Sequence, residues 1–253
     1  MVDVPTFRKP DRYKASSYRS YNFKMPACYD ACIWVKGWAP RWDRTIVCEL
    51  LPEISSTRIL DVGCATGRLL LRLAEAGAKK LSGVDLAPRI LEVAAEKLAR
   101  TGISVELRAA DAEDFLPWDD ESFDVVTLVG VLHHFFRPKD ALGEVRRVLR
   151  SGGRLLIMDP CFFTPVRQIL NAAFYVSPHD GDYHFHSARQ AVRLLADVGF
   201  TCVRKHRAGF GAFFAVALKP SSDPRERLGG QGQSLPNSAL HPTPAGGTAS
   251  RRG

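Results

Sequence analysis

The sequence predicts an α/β domain built on a doubly wound, mostly parallel sheet, and three observations predict it. Ile59-Leu60-Asp61-Val62 is a short apolar run with the look of a buried strand. It turns through the small residues 63–67 into a helical pattern, with Leu69, Leu70, Leu73 and Ala74 on one side and Gly77 as the stop. A strand, a glycine turn and a helix make the first half of a nucleotide-binding βαβ unit. Further short apolar runs alternate with amphipathic stretches as far as residue 160. Finally, 253 residues with 45% hydrophobic content suffice for one α/β domain with extensions.

In chain order, residues 1–24 are polar and tyrosine-rich, with scattered basic residues; they either fold over a site or stay disordered. From 25 to 52, Tyr29, Ile33, Trp34, Trp38, Trp42, Ile46, Val47 and Leu50 recur at near-helical spacing. Two readings stand: an amphipathic helix packed on the domain, or a lid over a hydrophobic substrate. Residues 1–50 are therefore set apart as an aromatic and basic segment, a candidate lid, and residues 51–220 as the domain. Residues 80–85 read as the second strand. Pro88 opens a helix through Arg100, closed by Gly102. Residues 104–110 and 122–130 read as the third and fourth strands. A helix over 140–149 should end at Ser151-Gly152-Gly153, with a fifth strand over 154–158. Residues 164–175 suit a helix, 177–186 form a loop dense in histidine and acid, and Ser187 caps a helix that Gly199 stops. Residues 221–253 hold six Gly, four Pro, five Ser and no aromatic residue, the composition of a disordered tail.

The spacing of the first turn narrows the chemistry. A dinucleotide fingerprint would place glycine at 63, 65 and 68, where this chain has Gly63, Ala65 and Arg68. It has instead Asp-x-Gly-x-x-x-Gly, with Asp61 two residues before the first glycine. This resembles motif I of the class I S-adenosylmethionine-dependent methyltransferases, with Ala65 where the family often has glycine. An acid there suits the ammonium and sulfonium of S-adenosylmethionine. Asp85, 18 residues beyond Gly67 at the end of the second strand, stands where such folds place an acid for ribose hydroxyls. In the resemblance, Asp111 receives the adenine amino group and the amide of Ala112 meets the ring. The 110–118 block and Glu144-Val145-Arg146-Arg147-Val148-Leu149-Arg150-Ser151-Gly152-Gly153 also resemble the family. Tyr29-Asp30, Trp38 and Arg41-Trp42-Asp43-Arg44 loosely resemble the ubiquinone/menaquinone C-methyltransferase group.

The resemblance implies a Rossmann-like, mostly parallel seven-stranded sheet with an antiparallel last strand, 200–207 and 211–218 closing it. It implies S-adenosyl-L-methionine as cofactor, held by Asp61, Gly63, Cys64, Ala65, Gly67, Asp85, Leu86, Asp111, Ala112 and Val129. His133 and His134 follow the fourth strand at the topological switch and are the candidates for a chemical role. His184 and His186 lie two apart, as on any extended segment; no further ligand joins them, and no metal is expected.

The acceptor is expected to be a small or lipid-like molecule, because the aromatic N-terminal segment and Phe162, Phe163 and Tyr175 could line an apolar pocket. The alternatives are an RNA or protein methyltransferase, or a non-catalytic scaffold that binds the cofactor. The net charge of +8 divides into +4 on residues 1–50, +2 on 51–220 and +2 on 221–253. The excess lies largely outside the domain, which speaks against nucleic acid. Six cysteines without a Cys-x-x-Cys pair suit reduced thiols and a cytoplasmic protein. The polar residues 1–10 suggest no secretory signal, and no apolar run is long enough for a bilayer. The sequence does not indicate the oligomeric state.

Overall fold

The computed structural model describes residues 12–102, 104–176, 181–208 and 211–221. Seven strands form one sheet: β1 (Arg58–Val62), β2 (Lys80–Asp85), β3 (Val105–Ala109), β4 (Phe123–Val129), β5 (Leu149–Pro160), β6 (Thr201–Arg207) and β7 (Ala212–Leu218). Their spatial order is β3-β2-β1-β4-β5-β7-β6. The first five pair in parallel, and β7 runs antiparallel between β5 and β6. Strand order reverses between β1 and β4, which opens a crevice at their carboxyl ends. The tail expected over 221–253 lies outside the described residues, apart from Ser221.

Among the described residues seven α-helices accompany the sheet: α1 (Arg12–Arg19), α2 (Ile33–Leu50), α3 (Arg68–Glu75), α4 (Pro88–Ala99), α5 (Pro138–Val148), α6 (Thr164–Val176) and α7 (Ala188–Asp197). Alternating strand residues feed two cores. Leu60, Val126, Leu155 and Ile157 face α5 and α7 through Leu142, Val145 and Leu195. Ile59, Val125 and Leu156 face α2 and α3 through Ile46, Leu50, Leu70 and Leu73. Being buried on both faces is why β4 and β7 read as nearly unbroken apolar runs. Ser187 and Gln190 close a reciprocal capping box at the start of α7.

α2 packs on the domain, the first of its two readings: Trp42, Ile46 and Leu50 are buried with Ile54 and Ile59 under the sheet. Trp34 lies outside the described side chains. One expectation is corrected: Ser151-Gly152-Gly153 lies inside β5 and not at a break before it. Gly152 takes a left-handed φ of +71°, and its N–H donates to the Lys219 carbonyl while the Lys219 N–H donates to the Gly153 carbonyl. That second partner, just past β7, turns a sequence that looks like a helix stop into strand.

The seam between β1 and β4 carries a buried acid. Asp61 stands opposite Thr127, whose hydroxyl donates to its Oδ1 at 2.6 Å. Burial pushes the Asp61 carboxyl up to about 7, against the pull of the Thr127 hydrogen bond and the Arg68 charge.

Ile46→Ala should lower unfolding free energy by about 2–5 kcal/mol. The same change at Ile169, which is 67% exposed, should stay within about 0.5 kcal/mol. Urea melts compare the two, and equal small losses would contradict a core α2. Asp61 gives a pH dependence. Its folded pKa, near 7, lies above the ordinary 3.8, so the native state holds the proton more tightly than the unfolded chain. That contribution is present below about pH 4 and is lost as pH rises through about 7. Relative to wild type, Asp61→Asn should therefore gain stability between about pH 5 and about pH 8. A pH-independent difference would refute the assignment.

Candidate functional site

A cavity opens at the carboxyl ends of β1, β2, β3 and β4 and encloses about 710 Å³ of empty space, solvent at its mouth included. Its floor is the glycine turn after β1. Gly63 has φ +71°, and a Cβ there would come within 2.4 Å of Val131 Cγ2. Glycine thus lets the end of β4 close on the turn. Ala65 is also left-handed, at φ +46°. Its N–H donates to Asp85 Oδ2 at 3.0 Å, and the Ala87 N–H donates to Asp85 Oδ1 at 3.0 Å. Burial raises the Asp85 carboxyl to about 6, and these amides hold it from rising further.

The cavity wall includes six of the sequence-predicted residues: Gly63, Ala65, Asp85, Leu86, Asp111 and Ala112. The structure sets four others behind that wall. Asp61 turns into the sheet toward Thr127. Cys64 directs its thiol into the core, where a Cβ on Gly83 would lie 2.9 Å from Sγ, and its N–H is taken by the Val84 carbonyl. Gly67 starts α3 beneath Ala94 and Leu98, and Val129 belongs to the core. Their positions next to the turn in sequence gave no sign of which way each faces.

Among the lining residues that the sequence did not single out as site residues, four are N-terminal. Lys14, Ser17, Tyr21 and Tyr29 line the cavity with Glu113, Gly130, Val131 and Phe135. Lys14 is 7% exposed; its Nζ pairs with Asp111 Oδ2 and lies 3.2 Å from Glu113 Oε2. Burial opposes the ammonium, but the Asp111 hydrogen bond and the two acids outweigh it and raise its pKa. Asp111 Oδ1 accepts the Glu113 N–H at 2.9 Å, and Glu113 Oε1 accepts the Phe136 N–H at 2.6 Å. α1 is fixed beside the mouth at further points. Tyr13 donates to the Tyr175 carbonyl at 2.7 Å and meets Tyr183 edge-on at 4.7 Å. Ser17 lies against Gly181, where a Cβ would come within 2.3 Å of it. The signal was present: 14, 17 and 21 fall on one helical face.

His133 and His134 part company. His134 lines the cavity, with Nε2 3.4 Å from the Tyr21 hydroxyl. Burial and the neighbouring His133 charge push it down to about 4, so it is neutral near pH 7. His133 lies behind it, with Nδ1 3.0 Å from Oδ1 of the fully buried Asp159. Burial disfavours its charge, but Asp159 prevails and raises it to about 10. Asp182 Oδ1 stands 3.5 Å from His133 Nε2 and 3.5 Å from His134 Nδ1.

Residues 60–157 match the family described as methyltransferase domain. The chain is 40% identical over 120 residues to a demethylmenaquinone methyltransferase of Thermus thermophilus, a match covering 47% of this chain and 54% of that protein. It is 36% identical over 126 residues to a tRNA U34 carboxymethyltransferase of Shewanella baltica, covering 49% of this chain and 36% of the relative. The chain thus spans about half, or less, of the length of these curated relatives. In fold it is similar to the magnesium protoporphyrin IX methyltransferase of Synechocystis PCC 6803, solved with bound SAH, with a TM-score of 0.66 and 18% identity over 82% of this chain and all of that one. No helix among the described residues is long and apolar enough to cross a membrane. The strand order, the glycine turn on Asp85 and these matches agree: residues 60–157 match a methyltransferase domain, on a fold similar to that of solved methyltransferases.

Proposed function

We propose that the protein transfers a methyl group from S-adenosylmethionine to a small-molecule or lipid-like acceptor. The observation that carries this reading is the cavity itself. It combines three carboxylates, Asp85, Asp111 and Glu113, with an aromatic wall of Tyr21, Tyr29 and Phe135 at a topological switch point.

The donor set suits the cofactor. Each Asp85 oxygen accepts one amide and keeps a lone pair for a ribose hydroxyl. Asp111 and Ala112 line the same cavity, which supports giving them the adenine amino group and ring. The small Gly63 and Ala65 admit close approach of a ligand to the backbone. When bound, the cofactor supplies a methyl carbon already activated by its sulfonium. The chain's task is then alignment, which supplies a large part of such a barrier reduction. α1 lies beside the mouth, held by Lys14 on Asp111 and Tyr13 on Tyr175.

Support for an apolar acceptor comes from α6, none of whose side chains is buried. Ile169, Tyr175 and Val176 are exposed on it and Phe163 just before it, beside the Tyr13–Tyr175 link to α1. The tRNA-modifying relative keeps an RNA acceptor as the second reading. Against it, Lys14 in the basic N-terminal segment turns inward onto two acids, and Lys97 pairs with Asp30.

Calorimetry should find S-adenosylmethionine binding. Asp85→Asn should weaken it by about 1.5–3 kcal/mol, roughly 10- to 100-fold in Kd, as for hydrogen bonds to a charged group. No heat of binding in the wild type would end the methyltransferase reading. With methyl-labelled cofactor and fractionated cell extract, label should enter lipid or small-molecule fractions. Labelling confined to RNA, with a steep salt dependence, would establish the second reading instead.

A further inference from the structure

We propose that His133, His134 and Asp182 form a binding site for a divalent transition-metal ion of the zinc class, facing the acceptor side of the cavity. Its role there rests on the methyltransferase reading above. Two imidazole nitrogens and one carboxylate oxygen converge, all within 4.8 Å of one another. Asp182 Oδ1 is 3.5 Å from His133 Nε2 and from His134 Nδ1. Zinc bonds of about 2.0–2.1 Å in a tetrahedron set ligand atoms about 3.3 Å apart. The observed separations are close to that.

Asp159, fully buried, lies 3.0 Å from His133 Nδ1 and keeps a proton on that nitrogen, so an ion would enter by displacing the proton that His133 Nε2 shares with Asp182. A carboxylate behind a histidine ligand is the usual way proteins orient it and raise its basicity. The Tyr21 hydroxyl, 3.4 Å from His134 Nε2, can accept from that nitrogen and leave the Nδ1 lone pair inward. Phe185 stacks on His133 with centroids 5.0 Å apart and fixes its plane. The two imidazole centroids stand 4.1 Å apart, so binding must fan the rings outward. His134 borders open cavity on the side where it would move. This cluster differs from the His184 and His186 pair that the sequence singled out. Those rings lie 4.7 Å apart, with Asn171 on His184.

Three protein ligands leave one tetrahedral position for a non-protein ligand, and of the three residues His134 lines the cavity. The acceptor class this selects bears a hydroxyl. On a metal the hydroxyl loses its proton to solvent at neutral pH, as bound water does. The oxygen's electron pair then forms the new O–CH3 bond, and the pair of the breaking CH3–S bond stays on sulfur.

The test is equilibrium dialysis of the full chain against Zn2+ and Co2+, with the visible spectrum of the Co2+ form. The expected result is one ion per chain, with d–d bands of a nitrogen and oxygen ligand set. His134→Ala and Asp182→Asn should each weaken binding at least tenfold, and Asp159→Asn by roughly 10- to 100-fold. Calorimetry with S-adenosylmethionine on Asp182→Asn should give the wild-type Kd, which separates this site from the cofactor pocket. Three results would overturn the proposal: no stoichiometric ion, unchanged affinity in both ligand variants, or thiolate charge-transfer bands that place the ion on cysteine. Should Ala at 134 fail to fold, Asp182→Asn decides alone. Metal binding without any binding of S-adenosylmethionine would leave the site standing and remove its proposed role.

Discussion

The Asp85 carboxylate is the constraint on which the cavity depends. One oxygen takes the amide of Ala65, in the turn after β1, and the other takes the amide of Ala87, in the turn after β2. Beyond the β1–β2 ladder, this carboxylate bridges the two turns and fixes their distance. Ala65 has a left-handed backbone that costs an L-residue about 1–2 kcal/mol. A hydrogen bond to a charged acceptor is worth about 1.5–3 kcal/mol and offsets it. With that turn in place, Gly63 packs against Val131, and the chain leaving β4 is drawn toward the cavity. The His133–His134 turn follows at once, so its position is set by an acid on another strand.

The same end of the sheet gathers carboxylates, and each is answered differently. Asp61 has the Thr127 hydroxyl, Asp111 and Glu113 have Lys14, and Asp159 has His133. Buried charges cost several kcal/mol each unless paired and hydrogen-bonded. The folded pKa values follow the quality of the answer. Asp61, with one neutral donor of its own, rises to about 7, and Asp85, with two backbone amides, stops near 6. On the far side of the sheet Asp124, bonded by Arg58 and Arg150 near solvent, falls to about 2. Among the described residues, Asp61 and Asp85 have no cation hydrogen-bonded to them, whereas Asp124 has two.

What the sequence made legible was whatever local pattern determines. Strand and helix order, the turn at 63–67, the cap at Ser187 and the acid at the end of β2 all follow from periodicity and turn chemistry within a few residues. What it hid depended on partners far along the chain. Asp61 faces Thr127 rather than the cavity because β4, 66 residues away, supplies a hydroxyl opposite it. Ser151-Gly152-Gly153 is strand because Lys219 pairs with it. The tryptophan-bearing helix is core because Ile46 and Leu50 find the sheet, and no period distinguishes a buried stripe from a substrate-facing one.

The same division explains why the domain is easier to read than its acceptor. The parts nearest the expected cofactor come from residues 61–112, inside the matched stretch 60–157. The acceptor side of the cavity is assembled from three separate places: α1, the turn after β4, and the segment around Asp182. Tyr13 reaches the Tyr175 carbonyl across 162 positions, and Tyr21 meets His134 across 113. Two of those places, α1 and the Asp182 segment, lie outside the matched stretch. Function on a shared fold is set by such added parts. Similarity confined to the sheet therefore constrains the donor more tightly than the acceptor. The chemistry around His133, His134 and Asp182 has to be read from this chain's own contacts.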